Sequence, residues 1–173
     1  RMQDTNTSNM EDLSFFDDKN ICKELNPEIV MVGLNISEPL SGNSFSNFHG
    51  AGGRAYKLRY GLKDTPCWGA YLTDIIKTFP EPKSEKLLKH LKENPDFSEE
   101  NISLFKDELS DLGSVNPRVF AFGGAAHKIL DKIPEKEFTL TKLIHYSHRY
   151  DNYHDPEVYK KHLHEQIYGK KKL

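Results

Sequence analysis

Apolar residues gather into four short runs, separated by stretches in which they recur every three or four positions. The first run, Ile29-Val30-Met31-Val32 within residues 28–37, has no polar break and gives way to Gly33, Leu34 and Asn35. That is the pattern of a strand buried on both faces whose C-terminal end opens into a loop. The second run covers residues 70–76 with Thr73-Asp74 inside it, and the third covers 118–122 before Gly123-Gly124 and a helix over 126–131. The fourth covers 139–144. Between them the period changes to that of helices. A helix over 13–25 ends at Asn26-Pro27, and a short one over 54–60 is closed by Gly61 with its basic residues facing out. Helices over 84–92 and 98–112 each start at a capping serine, the second with Gly113 just past its end. A last helix starts at Asp155, with Pro156 at its first position, and runs to about Tyr168. Strands separated by helices predict a three-layer α/β/α architecture with a central four-stranded parallel sheet.

The chain has 173 residues, enough for one domain with a real core. Residues 13–173 are expected to form it, after a polar and disordered 1–12. No apolar run approaches membrane-spanning length and the first residues carry no signal-type segment, so a cytoplasmic protein without a membrane partner is expected. Cys22 and Cys67 are too few for a four-cysteine zinc or iron–sulfur site. The net charge of −2 does not favour nucleic acid as a partner. Its distribution matters more, because 29–80 and 114–173 are net positive while 1–28 and 81–113 are net negative.

The positive segments also carry the candidate chemistry. Gly33 lets a backbone come close to a ligand, and the Asn35 amide can both donate and accept. The long loop 38–53 holds Phe45 and Phe48, which either plug the loop to the core or make a stacking face for a planar ligand. Gly123-Gly124 leads into a helix N-terminus, a favourable place for a phosphate, although tight strand–helix packing explains two glycines equally well. His145, His148, His154, His162 and His164 match no familiar ligand spacing, so neither a metal nor any other cofactor is expected.

Taken in order, the ends of the four runs resemble the uracil-DNA glycosylase superfamily over about residues 27–168. Gly33-Leu34-Asn35 is similar to its first motif, and Phe45 or Phe48 falls where those enzymes stack an aromatic on the extruded base. Residues 47–60 resemble the mismatch-specific uracil/thymine branch. Residues 68–77 resemble its second strand, 116–126 its third strand and Gly-x-x-Ala turn, and His145-Tyr146-Ser147 its His-Pro-Ser motif. The chain departs from the pattern at Ile36-Ser37 and Tyr146, where proline is usual, and at Asp74, where several branches carry a base-reading Asn. A carboxylate only accepts, which argues against uracil as the preferred base.

The resemblance implies a monofunctional DNA glycosylase, a monomer that flips a damaged or mispaired base out of DNA and hydrolyses its N-glycosidic bond. It implies Asn35 as the residue holding the water and His145 as the donor to the departing base. It implies Gly33, Leu34, Phe45, Phe48 and Asp74 around the base, with Gly123, Gly124, Lys128, Ser147, Arg149 and Tyr150 on phosphates or in the vacated stack. The alternative is a module of the same fold without catalysis, binding nucleic acid, a nucleotide or a protein partner.

Overall fold

The structure is a computed structural model and describes residues 19–37, 39, 47–48, 54–148 and 150–169. Its elements are β1 (Asn26–Asn35), α1 (Tyr56–Leu62), β2 (Ala70–Ile76), α2 (Ser84–Glu93), α3 (Pro95–Asp111), β3 (Arg118–Phe122), α4 (Gly123–Asp131), β4 (Thr139–Leu143) and α5 (Pro156–Tyr168). The four strands form one all-parallel sheet flanked by helices, in the order β2-β1-β3-β4. The α/β architecture expected from the apolar runs is therefore present.

The order explains which runs are most apolar. β1 and β3 are the inner strands, paired in register from Ile29 opposite Arg118 to Val32 opposite Ala121. β1 is buried from Ile29 to Gly33 and β3 from Val119 to Phe122, as the central stretches of strands covered on both faces must be. β4, at an edge, is buried only at Leu143. Val30, Val32, Val119 and Ala121 join Ile75, Leu87, Phe105, Ala126 and Leu130 in one apolar cluster. Met31 and Phe120 alternate with them and are buried as completely.

The chain divides into two compact units. The first comprises Pro27–Leu40 and Tyr71–Lys142, and it contains the apolar cluster. Its α3 closes a polar cluster: Glu108 Oε2 accepts from Lys77 Nζ at 2.7 Å and from Thr73 Oγ1 at 2.9 Å. Asn101 Oδ1 accepts from the Lys77 backbone N–H at 2.8 Å, while Asn101 Nδ2 donates to Phe97 O. Burial, and then the Glu108 carboxylate, raise the Tyr71 hydroxyl above the ordinary tyrosine range.

The second unit comprises Arg1–Asn26, Ser41–Ala70 and Leu143–Leu173 as far as they are described. Its centre is the packing of α1 on α5. Gly61 permits it, since a Cβ there would lie 2.8 Å from Leu163 Cδ2. His164 Nε2 donates to Gly61 O at 2.7 Å, Tyr60 Oη donates to Glu157, and the Lys160 ammonium lies over the Tyr60 ring. Gly69 is required more strictly. Its φ is +83°, and a Cβ would fall 1.6 Å from Glu24 O.

Several element boundaries differ from the sequence reading. Of the helix expected over 13–25, the described part is a single 3-10 turn, Ile21–Lys23, and β1 already starts at Asn26. α1 runs through Gly61 instead of ending at it, and Lys57 faces inward rather than out. α3 starts at Pro95, whose fixed φ suits a first helical position, so Ser98 lies inside the helix. At α2 the cap is Lys83 and Ser84 is already helical. α4 starts at Gly123 itself, with φ +81° making the switch from strand to helix. α5 is as expected, the Asp155 carboxylate accepting from Glu157 N at 2.8 Å ahead of Pro156.

Candidate functional site

The segment between β4 and α5 carries the candidate chemistry of the second unit. It leaves Leu143 and is held at both ends. At its start, Ile144 N donates to Gln166 Oε1 at 2.8 Å and Ile144 O accepts from Tyr159 Oη at 3.4 Å. At its far end, Tyr153 O accepts from Lys57 Nζ at 2.6 Å. Between these ties the chain turns through Asp151 and Asn152, both with positive φ.

His145 is half-buried near the start of this segment. Its Nδ1 accepts a hydrogen bond from the Ser147 backbone N–H at 3.1 Å, which puts the ring proton on Nε2. Burial, the Lys57 ammonium and His148 together hold its pKa down to about 4. At neutral pH the ring is therefore an uncharged imidazole with Nε2–H as donor. It lies against Tyr146, ring centroids 4.4 Å apart. Ser147 is exposed, and so is Tyr150, with 75% of its surface open to solvent. Tyr150 meets His148 edge to face, and His148 meets Tyr153, which in turn meets His162 of α5.

Asn35, at the end of β1 in the other unit, has a different environment. Its Nδ2 lies 2.9 Å from Ile36 O, 3.0 Å from Phe79 O and 2.9 Å from Glu81 O. Three carbonyls around one atom identify it as the amide nitrogen. The side chain thus staples the segment after β1 to the one after β2, and Glu81 N donates to Ile36 O beside it. What Asn35 retains for chemistry is Oδ1, an acceptor.

The remaining sequence-derived residues fall in varied places. Gly33 is buried within β1, and Leu34 packs on the apolar cluster. Asp74 lies inside β2 rather than at its end and is only 5% exposed, so it is a buried carboxylate. Gly123 and Gly124 form the first turn of α4, whereas Lys128 stands in its last turn, where a cation suits the helix dipole. The tight-packing account fails at Gly124, because a Cβ there would meet nothing within 4 Å. Phe48 is half-buried with φ +66°. Phe45 and Arg149 lie outside the described residues.

Sequence reasoning missed Lys57 and Tyr159. Both are fully buried, and the Lys57 ammonium lies 5.2 Å from the Tyr159 ring centroid. Burial raises the Tyr159 hydroxyl far above the ordinary range, with Tyr146 adding to it. The available signal was helical phase, since Lys57 shares a face with Leu58, Gly61 and Leu62. An open groove of about 640 Å³ also occurs in this unit, lined by Lys23, Asn26, Lys63, Thr65 and Trp68 among others. It contains none of the residues singled out from the sequence.

No family model, curated protein or solved structure matches the chain. Among the described residues no cluster of three metal-ligating side chains occurs, and no helix is long and apolar enough to cross a membrane.

Proposed function

We propose that the chain is a DNA glycosylase-like hydrolase that cleaves the N-glycosidic bond of a damaged or mispaired base, with His145 as donor to the departing base. The observation that carries this reading is the state of His145: neutral, with Nδ1 engaged by Ser147 N–H and the proton on Nε2. As the glycosidic bond breaks, negative charge accumulates on the base oxygen. A fixed neutral N–H aimed at that charge stabilises it without first giving up a proton. Tyr150, exposed on the same segment as His145, suits the gap left by a flipped base.

The test is a panel of oligonucleotides carrying uracil, hypoxanthine, xanthine or ethenocytosine, opposite every partner and in single strands. Excision of one of these bases is expected, with His145→Gln slower by about tenfold or more, or ~1.4 kcal/mol of transition-state stabilisation. Activity untouched in His145→Gln refutes the role of His145. Silence across the panel with folded protein refutes the enzyme.

A second reading has its own support. The Asn35 amide is spent on structure and Asp74 is buried, which suits a module of this architecture that binds nucleic acid without cleaving it. Such a module gives DNA binding that weakens steeply with salt and no excision.

A further inference from the structure

Lys57 is a buried cation of the second unit. Its side chain is completely buried, so the ammonium does not reach out to water along an apolar stem. Among the described residues no carboxylate lies within ion-pair distance of it. Among the described residues its polar contact is the Tyr153 carbonyl, 2.6 Å away, and it lies 5.2 Å from the centroid of the Tyr159 ring. An ammonium so placed gives up hydration and must be held by other polar or aromatic groups. An apolar residue of similar length would fill the space without that cost. What Lys57 supplies that such a residue cannot is a donor and a charge at the segment bearing His145.

We propose that Lys57 is the positioning residue of the His145 site: its ammonium ties down the Tyr153 carbonyl and, lying over Tyr159, joins α1 to both ends of the segment that presents His145. The inference rests on the reading of His145 as the donor to the leaving base. At the near end the link is Tyr159, whose hydroxyl donates to Ile144 O, one residue before His145. At the far end it is the direct bond to Tyr153 O. The charge acts as well. Beyond burial, Lys57 from α1 and His148 from the segment itself disfavour a positive charge on His145, whose ring lies against that of Tyr146. Burial, and then Arg54, in turn lower the pKa of Lys57.

Lys57→Met keeps the length and removes donor and charge, whereas Lys57→Gln removes the charge and keeps a donor. Histidine titrations followed by NMR in these variants and in the wild type need no substrate. In both variants the His145 pKa is expected to rise towards the ordinary value by roughly half a unit or more. Amide exchange over residues 147–153 is expected to quicken by about tenfold in Lys57→Met and by less in Lys57→Gln. An unchanged His145 titration in both variants overturns the proposal. Reductive methylation of folded wild-type protein provides a check without a mutation. Lys57 is expected to stay unmodified while exposed Lys63 reacts, and reaction of the two at equal rates overturns the proposal. A silent oligonucleotide panel with a shifted titration would sink the glycosylase and leave the positioning role standing.

Discussion

Replacing Asn35 separates its structural work from its chemical work. Two N–H groups of Nδ2 serve three carbonyls at 2.9–3.0 Å, in a half-buried position. At ~1 kcal/mol for each hydrogen bond lost, Asn35→Ala should cost about 1–3 kcal/mol. For a chain of this size that lowers Tm by roughly 2–12 °C. Asn35→Asp should be worse, although it is nearly isosteric and offers a better base for activating water. It sets a carboxylate oxygen against three carbonyl oxygens, which adds about 1–3 kcal/mol. The same crowding raises the pKa of the introduced carboxyl in the folded state above the ~3.9 of the unfolded chain. The added penalty is then absent below pH ~4, grows as pH rises and is complete above the folded pKa. The assay is thermal unfolding of the three proteins between pH 3.5 and 8. An Asn35→Asp protein as stable as wild type at pH 7 would refute the staple, as would one whose deficit does not shrink on acidification. The result also decides how activity data are read, because an inactive Asn35→Ala protein has lost a loop tie as well as a candidate water ligand.

The glycines give a contrasting pair in unfolding experiments. Gly69→Ala should destabilise by several kcal/mol, roughly, because both φ and the Glu24 carbonyl forbid a Cβ. Gly124→Ala should be neutral or stabilising by up to ~1 kcal/mol, since the position is open and helical. Phe105→Ala should cost about 3–5 kcal/mol, as Phe105 is fully buried in the apolar cluster and meets Phe138 edge to face. His145, neutral in the folded state down to about pH 4, binds fewer protons there than in the unfolded chain between pH 4 and ~6.5. Its contribution to stability is therefore complete above pH ~6.5 and falls away as pH drops towards 4, a dependence that His145→Gln should remove from the Tm–pH profile.

The inner strands were legible because a parallel sheet covered on both faces demands unbroken apolar runs, and Ile29–Val32 and Val119–Phe122 are such runs. α5 was legible because Asp155-Pro156 is a strong start signal. The start of α3 was not, since Ser98 and Asn94-Pro95 both suit a helix start and proline at the first turn prevailed. Lys57 was misread because charge was taken to mean solvent, while the neighbours that bury it lie about 100 residues away on α5. Asn35 shows the limit most clearly. A side chain at a strand end serves a loop or a substrate with the same amide, and only the positions of Phe79 O and Glu81 O show that the nitrogen serves the loop.

The pairing of β1 with β3 bears on how the chain is made. Ile29 leaves the ribosome about 90 residues before its partner Arg118, and at ~5–20 residues per second the delay is roughly 5–20 s. Once β2 has emerged β1 can pair with it, but the other edge of β1, beside the apolar side chains Ile29 to Val32, still has no neighbour. A nascent chain halted in that window is the form most exposed to misassociation, and slowing translation between β2 and β3 should lower the yield of folded protein more than slowing it after β4.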